Sequence, residues 1–442
     1  MGITAGRKAK RGKSKATPIE AASKPWRWVR MLGPGLITGA SDNDPSGIGT
    51  FTQIGSQFAY GGLWLPILTT PLMIAVQELC ARIALETGRG LGRSLRRKYP
   101  DALVGVAIAA LLGANTLNLG ADLGAIGAAG QLLVGRWVPS LVLVIVASLI
   151  ILGLQLLGSY SLISSVFKWL TVTLFVYILA AFMTHPNWRD AVTQTFAPHI
   201  QLAPAYIAAV VAGLGTTISP YLFFWQASSE VDRLRDRRML QQAWQFGASN
   251  RQLKEMRVDV VVGMVFSQIV AYFIVLAAAG ALYHPHGGGV QSAAQAAAAL
   301  KPAAGPFASV IFSVGIMATG FLAVPILSGS AAYAVKEFRH WRGNMQAKPG
   351  VAPYFYAVIV AATAVGVGMN FLHFDTVRAL YVTAIVNGLV SPLLLAMILF
   401  LGRDKEIMGK RVSSRLSFVV SGFATLLMAA AAAALLLTQF VH

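Results

Sequence analysis

Apolar runs of about twenty or more residues recur along this chain, and they constrain its fold more than any other feature. A helix needs about 20 apolar residues to cross a hydrocarbon core of roughly 30 Å. Only 12% of the residues are charged, whereas a soluble domain carries about 25%. The sequence therefore predicts an all-α membrane protein with the lipid bilayer as its surroundings. Hydropathy and Gly/Pro punctuation predict eleven spans, near residues 34–58, 63–86, 102–133, 139–158, 162–184, 204–228, 256–283, 304–333, 352–371, 376–401 and 416–440.

The positive charges indicate how these spans are oriented. Connections must alternate between the two sides of the membrane, and the cytoplasmic ones collect Lys and Arg. With eleven spans, one side holds all but four of the 36 basic residues, the exceptions being Arg136, Arg189, Lys301 and Arg378. This predicts a disordered basic cytoplasmic tail over residues 1–32 and an outside C-terminus. The sequence shows no targeting peptide, which suits a bacterial inner membrane. Because the basic clusters follow topology, neither nucleic acid nor an obligate protein partner is inferred from the net charge of +19.

Polar residues and a proline interrupt the first span. The stretch from Ser41 to Gly49 contains Asp44-Pro45-Ser46-Gly47 in the middle of an otherwise apolar run. Proline removes a backbone donor and glycine tolerates non-helical dihedral angles, so residues 44–47 are predicted to be unwound. Unpaired backbone groups at this depth are tolerated only where they are buried in protein or line a cavity.

The sixth span repeats the same device. Its apolar run is interrupted by Gly213-Leu214-Gly215-Thr216-Thr217-Ile218-Ser219-Pro220-Tyr221. Five spans separate the two breaks, which predicts two five-helix halves in opposite orientations, at 33–184 and 185–401, followed by an eleventh helix in 402–442. Paired breaks of this kind indicate a substrate site near the midplane of a transporter.

At these residues the chain resembles the NRAMP family of divalent metal-ion transporters. The family's first-helix motif Asp-Pro-Gly-Asn is similar to Asp44-Pro45-Ser46-Gly47, and its second helix resembles the stretch from Gln77 to Gly90. In its sixth helix the family reads Ala-x-x-Met-Pro-His, where this chain has Thr216, Ser219, Pro220 and Tyr221. The resemblance implies a LeuT-type fold of two inverted repeats, with helices 1 and 6 unwound midway.

The resemblance also implies a set of metal ligands. The positions at which this chain departs from that set favour the same kind of ion. Asp44 would remain the anionic metal ligand and Thr216 would offer its carbonyl, but Gly47 lacks the family's amide and Ser219 lacks its thioether. A thioether suits transition metals, whereas oxygen ligands and retained water suit Mg²⁺, with Mn²⁺ as a borderline case. The pattern resembles the magnesium-transporting branch of the family, which implies transport without proton coupling. Tyr221 in place of the histidine agrees with this.

Further polar residues are predicted to line the site. An acidic residue inside a span is costly and needs a partner or a cation. Asp42 and Asn43 either line the site or bond the unwound backbone, and Asn118 and Asp122 lie with Asn115 on one helix face that either borders a cavity or bonds a neighbouring helix. The remaining predicted lining residues are Ser46, Thr217, Tyr221 and Asn387, the last either a site residue or a link between helices.

The sequence thus predicts divalent-cation uptake by alternating access, with Mg²⁺ or Mn²⁺ as the transported substrate and no cofactor. One alternative is a proton-coupled Mn²⁺/Fe²⁺ transporter of the NRAMP type. A different class is an intramembrane enzyme with Asp44 and Asp122 as an acid pair, although nucleotide-binding loops, zinc motifs and nucleophile elbows are missing from the sequence. An amino-acid substrate is disfavoured, because an aspartate at the break repels a carboxylate.

Overall fold

The computed structural model describes residues 33–135, 137–157, 174–236, 239–240, 243–244, 247–284, 289–372 and 375–440. These residues form helices and short 3₁₀ turns, which confirms the predicted all-α fold; the predicted tail and the start of the fifth span lie outside them. In chain order the helices are α1 (Pro34–Asp42), α2 (Pro45–Phe58), α3 (Trp64–Thr87), α4 (Leu91–Leu95), α5 (Asp101–Val134), α6 (Ser140–Leu157), α7 (Phe175–Met183), α8 (Trp188–Phe196), α9 (Pro204–Thr217), α10 (Pro220–Asp236), α11 (Asn250–Leu282), α12 (Ala293–Ala297), α13 (Lys301–Ala304), α14 (Ala308–Phe338), α15 (Pro353–Met369), α16 (Thr376–Leu401), α17 (Lys405–Met408) and α18 (Arg415–Phe440).

Nine segments of the described chain are long and apolar enough to cross a membrane. The first predicted span is not among them because it consists of the two short helices α1 and α2. The fifth is not among them because only its last part, α7, is described. The nine segments correspond to the other nine of the eleven predicted spans. The boundaries predicted for the two repeats stay a prediction.

Both predicted breaks are present, and each leaves two residues outside the helices. In the first span these are Asn43 and Asp44, and α2 then begins at Pro45. In the sixth they are Ile218 and Ser219, and α10 begins at Pro220. The predicted position 44–47 was therefore wrong for residues 45–47, which form the first turn of α2. Proline fits there because the first amides of a helix have no intrahelical acceptor.

Glycines bring the broken helices into backbone contact with their neighbours. A Cβ on Gly39 of α1 would lie 2.1 Å from the carbonyl oxygen of Gly263 in α11. In the sixth span, a Cβ on Gly215 would lie 2.1 Å from the Ala384 oxygen and 2.4 Å from the Gly388 nitrogen, both in α16. Small residues permit such close crossings between membrane helices. The two breaks are thus fixed in place by α11 and α16.

The amino-terminal end of α1 is capped from another helix. The Asp259 carboxylate in α11 accepts hydrogen bonds from the backbone amides of Gly33, Gly35 and Leu36 at 2.7, 2.8 and 3.1 Å. Farther along, Thr38 donates a 2.7 Å hydrogen bond to Gln226 of α10. A carboxylate is favourable at this end of a helix because the free amides carry partial positive charge. The cap ties α1 to α11.

Candidate functional site

The Asp44 carboxylate lies at the first break, where it caps α2, and is 1% exposed. Its Oδ1 accepts hydrogen bonds from the Gly47 amide at 2.6 Å and the Ser46 hydroxyl at 2.7 Å. Its Oδ2 accepts from Asn118 of α5 at 3.1 Å and from the Tyr221 hydroxyl of α10 at 3.3 Å. One buried carboxylate therefore joins the first break, the second break and α5.

The second break contributes mainly oxygen atoms. The Ser219 hydroxyl donates to the carbonyl oxygens of Gly215 and Thr216 at 2.6 and 2.7 Å, so it satisfies the last turn of α9. The Thr217 hydroxyl likewise donates to the Gly213 carbonyl, at 2.9 Å. By contrast, the hydroxyl oxygen of Thr216 is buried and has no hydrogen-bond partner among the described residues. Of the three hydroxyls at this break, the Thr216 hydroxyl is therefore the one that is available to bind a ligand.

Gly47 leaves room between the two breaks. A Cβ at this position would lie 3.4 Å from Asp44 Oδ1 and 3.4 Å from Thr216 Oγ1. The same Cβ would lie only 2.8 Å from the carbonyl oxygen of Asp42, closer than real side chains come to a backbone oxygen. Gly47 therefore faces both oxygens, and a side chain there would enter the space between them.

Asp42 and Asn43 turn to the other side of the break, towards α11. Asp42 Oδ2 accepts hydrogen bonds from the Ser267 hydroxyl and, at 3.1 Å, from the Gln268 amide. Asn43 donates to the Ser267 hydroxyl at 3.0 Å and to its carbonyl at 3.2 Å. The sequence analysis did not identify Ser267 and Gln268. They could have been recognised as a pair of polar residues inside the apolar run of the seventh span. This cluster holds the break against α11.

Several polar atoms near the break lack hydrogen-bond partners within the described part of the chain. They are both carboxylate oxygens of Asp122, the Asn118 side-chain oxygen, both polar side-chain atoms of Asn387, and one oxygen each of Asp42 and Asn43. Buried polar groups are normally paired, so each of these atoms is a candidate contact for an ion or for ordered water. The Asn115 side-chain amide instead donates a hydrogen bond to the Leu327 carbonyl of α14 at 3.3 Å. Asn115 thus bonds a neighbouring helix, the second of the two roles predicted for this helix face.

The donor set at Asp44 consists of carboxylate, hydroxyl, amide and carbonyl oxygens. Within the described residues, no group of three or more His, Cys, Asp and Glu side chains could hold a metal ion. This excludes a closed site of the structural-zinc kind from that part of the chain. One carboxylate with neutral oxygens is instead the environment of hard cations that keep some of their water.

A largely apolar cavity of about 20 Å³ adjoins the site on the side towards which α2 runs. It is lined on one side by Pro45, Ile48 and Thr52 of α2, and on others by Ala125 of α5 and Leu380 of α16. Pro45 borders both the cavity and the break. The cavity therefore extends to the residue that follows Asp44 in the chain.

Comparison with known proteins places the chain among membrane transporters. The family model described as natural resistance-associated macrophage protein-like (Nramp) matches residues 35–438. The divalent metal cation transporter MntH of Verminephrobacter eiseniae is 26% identical over 417 residues, covering 93% of this chain and 89% of that protein. The MntH of Deinococcus radiodurans is 28% identical over 302 residues, covering 66% of each.

Solved structures show the same architecture. A manganese transporter of Eremococcus coleocola superposes with a TM-score of 0.68 at 17% identity, covering 94% of this chain and 87% of that one. Mhp1, a nucleobase-cation-symport-1 family transporter, gives a TM-score of 0.56 at 14% identity, with 92% and 93% covered. At these identities the likeness concerns the fold alone, and it confirms the predicted LeuT-type arrangement.

Proposed function

The chain belongs to the Nramp family, and from that premise we propose that it carries divalent cations, Mg²⁺ before Mn²⁺, without coupling to protons. Its curated relatives are divalent metal cation transporters, so the chain is an integral membrane transporter of that type and not an enzyme. The intramembrane-enzyme alternative is thereby removed. The choice of ion, the coupling and the orientation of the chain are proposals.

The observation that carries the preference for Mg²⁺ is the all-oxygen environment of Asp44. The resemblance places a thioether at the position of Ser219, but a serine hydroxyl stands there and is bonded to two carbonyls. Without sulfur, the site loses the ligand that favours transition metals over Mg²⁺. Asp44 supplies the charge, and Thr216 supplies a free oxygen.

The site also suits an ion that retains water. Mg²⁺ dehydrates reluctantly and is usually held by one or two carboxylates together with several waters. Gly47 leaves space between Asp44 and Thr216, and the unpartnered Asn118 side-chain oxygen and Asn387 side chain offer hydrogen bonds to such waters.

The absence of proton coupling is proposed from Tyr221. The resemblance places a histidine at this position, and histidine changes its charge near neutral pH, whereas a phenol remains protonated there. The Tyr221 hydroxyl donates to Asp44 and, at 3.0 Å, to the Ser41 carbonyl. It thus holds the two breaks together without being able to release a proton. We further propose a plasma-membrane location with a cytoplasmic N-terminus, because of the charge distribution.

The test is uptake of Mg²⁺ and of Mn²⁺ into proteoliposomes with internal pH monitored, comparing the native chain with Asp44→Asn. We expect Mg²⁺ uptake without acidification, reduced at least about tenfold in the variant because the charge ligand is lost. Asp190→Asn, which alters an exposed carboxylate outside the site, is the matched control and retains uptake. Uptake of Mn²⁺ alone with acidification would establish the proton-coupled alternative, and equal uptake by Asp44→Asn would refute the site.

A further inference from the structure

Asp122 is the most anomalous charged residue of the described chain. Its side chain is 0% exposed, and neither carboxylate oxygen has a hydrogen-bond partner there. None of the ion pairs formed by described residues reaches it. An isolated buried carboxylate is costly unless a cation or a proton compensates it. Its own neighbours do not explain its presence inside a membrane helix.

The neighbouring turns of α5 show which way Asp122 faces. One turn earlier, Asn118 bonds Asp44 directly. One turn later, Ile126 lies beside Gly320 of α14, where an added Cβ would be 2.6 Å from Ile126 and 3.3 Å from Pro45. Residues four apart share a helix face, so Asp122 lies between these two contacts, opposite residues 44–46. Its carboxyl group approaches the Ser46 amide and acts electrostatically on Asp44 and Tyr221.

Asp122 is also close to the cavity. Ala125 of α5 and Pro45 of α2 both line that cavity, and Asp122 lies about one turn from Ala125 towards the site. Along α5, Asp122 therefore lies between Ala125, which lines the cavity, and Asn118, which bonds Asp44. Few polar side chains line the cavity. The negatively charged Asp122 carboxylate is therefore positioned to attract a cation at the end of the cavity beside Pro45.

Charge balance gives Asp122 a role in binding. A divalent ion held by Asp44 alone leaves one positive charge uncompensated in a low-dielectric interior, where such a charge is costly. We propose that Asp122 is the second charged ligand of the transported ion, directly or through one retained water, so that the ion links the break in the first span to α5. This inference rests on the proposed function, since it concerns the same ion.

The test is binding of Mg²⁺ and Mn²⁺ to the purified full chain, followed by titration calorimetry and by the thermal upshift that the ion produces. We expect Asp122→Asn to weaken binding of both ions at least about tenfold and to reduce the ion-induced upshift. Ion-free Asp122→Asn should unfold at a temperature no lower than the native chain, because a buried unpaired carboxylate is removed. Asp122→Glu, which restores the charge, should recover part of the affinity.

Asn115→Ala is the control, since Asn115 lies on the same face but bonds α14 and not Asp44; it should bind both ions as the native chain does. Native affinity in Asp122→Asn would overturn the inference while leaving the proposed function intact if Asp44→Asn has lost binding. A lower unfolding temperature of ion-free Asp122→Asn with unchanged affinity would assign Asp122 a purely structural role and also overturn it. If the native chain binds Mn²⁺ but not Mg²⁺, the proposed ion preference fails, and the Asp122 comparison is made with Mn²⁺.

Discussion

A single carboxylate organises the site at the scale of residues. The sequence indicated Asp44 because an aspartate before a proline in the middle of an apolar span is costly without a cation. It could not predict that the Ser219 hydroxyl turns back to the α9 carbonyls, because that depends on a rotamer and on where the helix ends. Nor could it predict that Asp42, two residues from Asp44, faces Ser267 on another helix. Which way neighbouring side chains point at a break is set by the unwound backbone.

Gly47 tests the space within the site. A methyl group added there would come within 2.8 Å of the Asp42 carbonyl and would enter the gap between Asp44 and Thr216. Overpacking of a filled interior costs about 1–3 kcal/mol, so we expect Gly47→Ala to weaken Mg²⁺ binding by roughly tenfold. Calorimetric titration of the purified chain measures this. Gly113→Ala, whose added Cβ meets nothing within 4 Å, should bind normally; undiminished binding by Gly47→Ala would mean that the ion lies elsewhere.

At the scale of elements, the sequence located the helices better than it located their ends. The hydropathy of the sixth span falls after residue 228, but α10 continues to Asp236, and α11 begins at Asn250 instead of 256. Both helices continue beyond their apolar parts with charged residues that hydropathy does not recognise as helical. The first break was misplaced for a related reason, because proline was taken as its centre although it begins the next helix.

The cap on α1 predicts a conformational effect. Replacing a capping carboxylate with alanine costs about 0.5–2 kcal/mol, so Asp259→Ala should free the start of α1. With the single native cysteine Cys80 replaced and Ser41→Cys introduced as a reporter, we expect methanethiosulfonate modification to become about 2- to 30-fold faster. Asp259→Asn, which keeps an accepting oxygen, should lie between the two.

Asp236→Ala removes an exposed carboxylate and serves as the control for this measurement. Equal modification rates in Asp259→Ala and the native chain would show that the cap does not restrain α1. A reporter that reacts in every background, the control included, would instead show that α1 is already free.

At the scale of the whole molecule, the paired breaks and their spacing predicted two inverted halves, and the resemblance to the Nramp family implied the LeuT-type arrangement of those halves. The ion and its driving force are not contained in the fold. The Eremococcus manganese transporter and Mhp1, a nucleobase-cation-symport-1 family transporter, share this architecture, so the fold alone does not specify the substrate.

Uncoupled transport predicts a dependence on the membrane potential and on the ion's own concentration gradient, but not on the pH gradient. A divalent ion that crosses 100 mV gains about 4.6 kcal/mol, two charges at about 2.3 kcal/mol each. In proteoliposomes with a valinomycin-induced potassium potential, we expect Mg²⁺ uptake to rise as the interior becomes more negative while internal pH stays constant. A change of internal pH that accompanies Mg²⁺ uptake would contradict the uncoupled mechanism. Uptake that does not change with the membrane potential would show that another ion moves with Mg²⁺.

The prolines that begin α2 and α10 have a consequence for direction. A proline cannot donate the hydrogen bond that would join its helix to the preceding one, so at each break a backbone carbonyl lacks its helical partner whether or not an ion is bound. The empty and the loaded carrier therefore both keep a carbonyl available for a cation at each break. For uncoupled transport, the electrochemical gradient across the membrane alone decides whether a cell gains or loses its ions.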